Sequence, residues 1–368
     1  MSKPIKNEYN PDTISVPGET LKELLEDRKM SQAELAERMG RPKKTINEII
    51  KGKASLTSDT AIQLERVLGV PADFWIQREM NYRALVAQIE EDKRLLKHKN
   101  WLKHFPIKEM IKRKWIPDMG NNKLLQIKEM LNFFGIASPE LWRVGWQDKK
   151  QLAFRHSRKL APKLGPTSVW IRKAEIEADK IKCEAFDEDK LRSLLPELRV
   201  LTLEEKFDNI VPNIIRICKG AGVAVVFLQG FDGVPVSGAS LWLNSNKAMV
   251  LLSSRYRTDD HLWFTFFHEL GHILLHSKKE LFIEFDRSSL NLSKEEEEAN
   301  IFSANHLIPE KDLKEWLACE TSKISRNAVV SFSQTLGISP GILVGRLQFM
   351  QKIPVTHMNN LKKHYRWT

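Results

Sequence analysis

The residues with the clearest chemistry are His268, Glu269 and His272, in the stretch HLWFTFFHELGHILLH. On an α-helix of 3.6 residues per turn, positions four apart lie on nearly the same face, one turn from each other. Two imidazoles so placed can chelate one tetrahedral ion, with zinc–nitrogen distances of about 2.0–2.1 Å. Glu269 is turned beside them, where it can reach a water without joining the ligand set. The aromatic and aliphatic residues from Trp263 to Leu275 predict a helix buried almost all round. Two histidines and a glutamate on such a helix need internal partners, and a metal supplies one.

A catalytic zinc site uses three protein ligands and keeps one position open. The third is expected downstream on another helix, and LSKEEEEANIFSANHLIP offers it. Glu298 is the first candidate. Glu295, one turn earlier on the same face, is the alternative, and Glu296 and Glu297 are expected to point into solvent. The bland reading of this run is an exposed acidic helix start, which the helix dipole favours. His276 is expected outside the ligand set, and His306 is expected to cap its own helix rather than to approach the metal. With Zn2+ to activate a water, Glu269 would act as general base in peptide hydrolysis. His261, Arg257 and Tyr256 are candidates for oxyanion stabilisation by sequence proximity alone.

Several elements must position these groups. VPNIIRICKGAG reads as a helix stopped by Gly220 and Gly222, and VAVVFL as a buried strand. ASLWLN and AMVLLS read as two further strands around a turn at Ser245-Asn246. A three-stranded antiparallel sheet flanked by helices is expected, with ASLWLN taking substrate by edge pairing. FSQTLGISPGILVGRLQFM predicts two helices around Gly337.

VLLSSRYRTDDHLWFTFFHELGHILLH, followed by EEEANIFSANHLIP, resembles the ImmA/IrrE metallopeptidase family over about residues 170 to 350. The family pattern is FxxxHELGHxLLH, then a Glu-Ala-Asn/Asp-x-Phe-Ala segment ending in Leu-x-Pro. The resemblance implies a zincin-like fold, zinc on His268, His272 and Glu298, and Glu269 as catalytic base. It also implies regulated cleavage of a protein, often a repressor encoded nearby. Ser303 replaces the usual alanine and His306 a usual aliphatic residue.

The amino-terminal stretch carries a different chemistry. Pro17-Gly18-Glu19-Thr20 opens a helix with Leu21, Leu24 and Leu25 at helical spacing. Ser31 and Glu34 form a capping box for a second helix carrying Ala33, Leu35, Ala36 and Met39, which Gly40 stops. KKTINEIIK makes a third, burying Ile46, Ile49 and Ile50. A glycine turn between two short helices leaves the later one protruding, as a rod that fits the DNA major groove. Lys43, Lys44, Thr45, Asn47 and Lys51 are its candidate contacts, and Gln32 is placed to touch the backbone. SQAELAERMGRPKKTINEIIKGKASLTSDTAIQLERVLGVPADFW resembles XRE-type helix-turn-helix domains, and most of all the HigA-type antitoxins. That resemblance implies operator binding as a homodimer, with a cognate toxin as a further partner.

The bulk numbers fit this pairing. The 368 residues predict two or three domains, and a net charge of +11 makes nucleic acid the first partner to consider. The three cysteines, Cys183, Cys218 and Cys319, form no framework and fit a reducing cytoplasm. No apolar run approaches the roughly 20 residues that cross a bilayer, so no membrane role is expected. The expected fold class is α+β and mostly helical. Its parts are an all-α helix-turn-helix domain over 1–85, a helical connector over 86–165 and a zincin-like domain with a small, mainly antiparallel sheet over 166–368. The basic stretch KRLLKHKNWLKHFPIKEMIKRKW falls in the connector, where packing is the favoured role for its aromatics. The expected function is a DNA-binding regulator carrying a zinc-dependent endopeptidase. The alternative is an antitoxin-like repressor whose zinc domain senses or scaffolds without turnover.

Overall fold

The computed structural model describes residues 15–153, 164–232, 236–253, 258–278, 281–285, 293–320 and 324–365. The chain forms two compact units, Met1–Lys99 and Asn100–Thr368. In the first, α1 spans Pro17–Asp27, α2 Gln32–Met39, α3 Lys43–Ile50, α4 Ser58–Leu68 and α5 Ala72–Leu96. The capping signal works as expected: the Ser31 hydroxyl accepts the Glu34 amide at 3.1 Å. Gly40 ends α2 in the left-handed region at φ 65°, which glycine adopts without a side-chain clash. Leu21, Leu35, Ile46, Leu64, Leu68 and Trp75 meet in one core with no exposed surface. A side chain at Gly18 would collide with the Ile50 backbone, so α1 packs directly on the end of α3. Of the apolar residues on α2, Leu35, Ala36 and Met39 are buried and Ala33 is exposed. The boundary expected at residue 85 falls inside α5.

The second unit continues from a short 3-10 turn over Lys99–His104 into α6 (Ile107–Lys112), α7 (Lys123–Phe134) and α8 (Pro139–Ala153). Trp101 and Phe105 are buried against Phe134 and Trp142, so the aromatics of the basic stretch are packing residues. The Trp142 indole donates to the Ser168 hydroxyl at 3.2 Å, tying α8 to α9 (Leu164–Lys180). Then come α10 (Glu188–Val200), α11 (Phe207–Lys219), β1 (Val223–Phe227), β2 (Val236–Asn244) and β3 (Lys247–Leu252). After them follow α12 (Asp259–Leu275), β4 (Phe282–Phe285), α13 (Lys294–Leu307), α14 (Glu310–Cys319), α15 (Arg326–Leu336) and α16 (Pro340–Phe349).

The sheet corrects the three-stranded antiparallel expectation. It has four strands in the order β1-β3-β2-β4, with β1 parallel to β3 and the other pairs antiparallel. The β2–β3 hairpin turns at Ser245-Asn246 as expected. However, β2 is paired with β3 on one side and, from Val236 to Ser240, with β4 on the other, so Ala239 and Ser240 of ASLWLN are bonded on both sides. The outer strand on that side is β4. The helix α12 lies against β2 and β3 and crosses α13 closely. A methyl at Gly271 would come within 3.1–3.3 Å of Phe302 and Ala299. These elements share one core, with Trp263, Phe266, Phe267 and Leu270 fully buried in it.

Candidate metal centre and candidate DNA interface

The helix α12 brings His268 and His272 together as their spacing demands, with their Nε2 atoms 2.9 Å apart. Facing them from α13 is Glu296. Its Oε2 lies 3.2 Å from His268 Nε2 and its Oε1 3.5 Å from His272 Nε2. One ligand atom from each of the three residues fits within a 4.8 Å cluster. The carboxylate beside the two histidines is thus Glu296, where Glu298 was the first candidate. Glu298 points away to His276, 3.1 Å from its Nε2, with 41% of its side chain exposed. Glu295 is outside the cluster, and Glu297 is exposed as expected. The phase of α13 explains the choice. Its buried face runs through Ala299, Phe302, Ser303 and Leu307. Glu296 lies three residues before Ala299 and seven before Ser303, on the side of small residues that lets the helix approach Gly271.

The donor set fits a divalent cation. Two ligands about 2.0–2.1 Å from a tetrahedral ion stand roughly 3.3 Å apart, and the separations here bracket that value. His268 Nδ1 lies 3.1 Å from Asn300 Oδ1, an acceptor, so the ring proton sits on Nδ1 and the Nε2 lone pair faces the cluster. Burial pushes the His272 imidazole down to about 4, against the pull of Glu296, so the ring is neutral at pH 7. Burial works to raise the Glu296 carboxyl, but the neighbouring His268 and His272 hold it well below the usual carboxylate range. Neutral imidazole nitrogens and an ionised carboxylate thus converge in a space shielded from water. Acceptors crowded together in this way call for a cation between them.

Glu269 is completely buried. The strand β2 passes over it at Gly238, where a methyl group would stand 2.6 Å from Glu269 Oε1 and 2.7 Å from the Thr265 methyl. Phe282 on β4 stacks on the His272 ring, with centroids 4.0 Å apart and planes 14° from parallel. At the other end of α12, the Asp259 carboxylate accepts the backbone amides of Asp260 and Lys363 and the Ser339 hydroxyl. Asp260 pairs with Lys362 at 2.6 Å. His306 hydrogen-bonds the Phe302 carbonyl at 2.9 Å and lies between Phe302 and Phe267, a packing role. Tyr256 and Arg257 lie outside the described residues.

In the first unit, Lys43, Lys44 and Lys51 are exposed on and just after α3, while Thr45 and Asn47 are half-buried. Lys44 stands 3.9 Å from Glu48, a weak exposed pair. Gln32 is half-buried at the start of α2. Ile46 and Ile49 hold the opposite face of α3 in the core.

Sequence reasoning missed Glu296, its neighbour Asn300 and the His276–Glu298 contact. One signal was available. Glu296 and Asn300 are four apart, so one turn of α13 presents a carboxylate to the cluster and an amide to a histidine on it.

Two family models match the chain: a helix-turn-helix model over residues 21–75 and an IrrE N-terminal-like domain over residues 218–348. No curated protein matches it. Among solved structures, a HigA-family addiction module antidote protein from Coxiella burnetii is 32% identical, with coverage of 23% of this chain and 92% of that one and a TM-score of 0.21. Antitoxin HigA of Pseudomonas aeruginosa, solved with the higBA promoter, is 29% identical, covering 22% and 90% with a TM-score of 0.22. PA4674 of the same organism, solved with its operator DNA, is 28% identical, covering 22% and 91% with a TM-score of 0.22.

Proposed function

We propose that this chain, an XRE-type helix-turn-helix domain joined to an IrrE-like domain of the M78 peptidase family, is a DNA-binding regulator whose second domain is a metal-dependent endopeptidase acting on a protein under control. The observation that carries the reading is the buried convergence of His268 Nε2, His272 Nε2 and the Glu296 carboxylate. These three would hold one Zn2+. Such an ion supplies Lewis acidity, which activates a water and polarises a peptide carbonyl. The chain's own groups do the rest. Glu269 takes the proton as the water attacks and delivers it to the leaving nitrogen. Asn300 holds the His268 ring in register, and the walls of Phe282 and β2 exclude bulk water.

The same burial favours control of turnover. A Glu269 carboxylate with no exposed surface and β2 lying over it must become accessible before a peptide can reach it. This supports a switched peptidase. It also keeps the second reading in play, a metal-bearing sensor or scaffold without turnover. In the amino-terminal unit, Lys43, Lys44 and Lys51 would neutralise phosphates. Thr45 and Asn47 would read base edges from α3, and Gln32 would touch the backbone. A module of this kind reads one half-site, so the working form is a homodimer on a two-fold operator, in the cytoplasm where that DNA lies. A cognate toxin, the partner of antitoxins like those compared above, is a further candidate, as is a repressor for substrate.

Glu269→Gln separates the two readings. A peptidase loses at least about 100-fold in cleavage of its protein substrate while keeping its metal and its operator. A wild type that cleaves nothing, with regulation unchanged in Glu269→Gln, leaves the sensor or scaffold reading.

A further inference from the structure

The tautomer of His272 is controlled from outside the cluster. Its Nδ1 lies 3.1 Å from His276 Nδ1, and His276 Nε2 lies 3.1 Å from Glu298 Oε2. Glu298 in turn pairs with Lys294 at 3.4 Å. His276 is the residue where α12 ends. Its extended backbone there, φ −120° and ψ 172°, leaves its side chain only 6% exposed.

The direction of this chain of hydrogen bonds is fixed at its far end. The Glu298 carboxylate accepts only, so His276 must present its proton on Nε2. In a neutral ring, His276 Nδ1 is then a lone pair, and it can only accept from His272. His272 must therefore carry its proton on Nδ1, which turns its Nε2 lone pair toward His268 and Glu296. The opposite sense would set a bare His276 Nε2 against a carboxylate and a protonated His272 Nε2 against the cluster. His268 reaches the same state by a shorter route, through Asn300 Oδ1.

We propose that His276 and Glu298 form a positioning relay, which fixes the ring orientation and the ligating tautomer of His272 and thereby raises the affinity of the cluster for a divalent ion. This rests on the metal-binding reading above. Neither residue touches the ion, and Glu298, in the motif that first suggested it as a ligand, acts two bonds away. Partners of this kind are typically worth about 10- to 100-fold in metal affinity.

The test begins without metal or mutation. In the chelator-treated full-length protein, long-range 15N–1H correlations of labelled histidine should place the proton of His272 on Nδ1 and that of His276 on Nε2. The reverse assignment overturns the relay. Next, Co2+ affinity is measured by competition with a chromophoric chelator in the wild type, His276→Ala and His276→Asn. An asparagine side chain can offer Oδ1 where histidine offers Nδ1, the arrangement Asn300 already uses. The relay predicts affinity about 10- to 100-fold weaker for His276→Ala and restored to within about threefold of wild type for His276→Asn. Equal affinity of wild type and His276→Ala, or His276→Asn no better than His276→Ala, overturns it. A wild type that takes up no Co2+ defeats the metal reading and with it the relay's purpose, whatever tautomers the spectrum assigns.

Discussion

At the scale of the residue, the site depends on side chains that admit little substitution. Gly238 is the sharpest case outside the ligands. A methyl there would stand 2.6 Å from Glu269 Oε1, well inside contact distance. Overpacking of this kind costs about 1–3 kcal/mol in a well-packed interior. Here part of the strain would fall on Glu269, the glutamate proposed to move the proton. Gly238→Ala should lower peptide cleavage at least about 10-fold while leaving metal content unchanged. Parallel loss of metal and activity would instead indicate that the whole sheet had shifted. The histidine pair and Glu269 were legible from spacing alone, because four residues on a helix allow few geometries. The carboxylate that joins them, Glu296, was not. Four consecutive glutamates carry no phase of their own, and the buried side of α13 is set by Ala299 and Ser303, which pack toward Gly271.

At the scale of the element, α12 is anchored at its first turn by a carboxylate under tension. Asp259 has no exposed surface, and burial pushes it from 3.8 up to about 6 despite the hydrogen bond from Ser339. Its folded value lies above its unfolded one. The protonated form therefore favours folding fully below about pH 4, and that contribution is lost as pH rises through about 6. The shift corresponds to an upper bound of about 3 kcal/mol. Denaturant unfolding of Asp259→Asn should give a stability that improves relative to wild type between pH 4 and pH 7. Parallel profiles across that range would refute the assignment. Local signals predicted these elements well: Ser31 and Gly40 bound α2, and Ser245-Asn246 turns the β2–β3 hairpin. The strand order was not legible. Nothing in the β-branched run of β1 says that it pairs with β3 in parallel, or that β4 covers the flank of β2. Such pairings are decided by long-range packing.

At the scale of the whole molecule, charge and recognition are separated. Residues 1–99, which include α3, hold 18 lysines and arginines against 16 acidic residues. Residues 100–165 hold 14 against 5, and residues 166–368 hold 26 against 26. The net +11 that first pointed to nucleic acid therefore sits mainly between the two matched domains, not in the segment that holds α3. On the proposed reading, recognition by α3 would rest on where Lys43, Lys44 and Asn47 stand, not on bulk attraction. The function proposed for the other half of the molecule depends on one ion at His268, His272 and Glu296. The most direct measurement is the transition-metal content of purified protein never exposed to chelator, for the wild type, Glu296→Ala and Glu298→Ala. We expect about one equivalent of Zn2+ in the wild type and in Glu298→Ala, and little in Glu296→Ala. A wild type without metal, or a Glu296→Ala protein that keeps its ion while Glu298→Ala loses it, would contradict the centre described here.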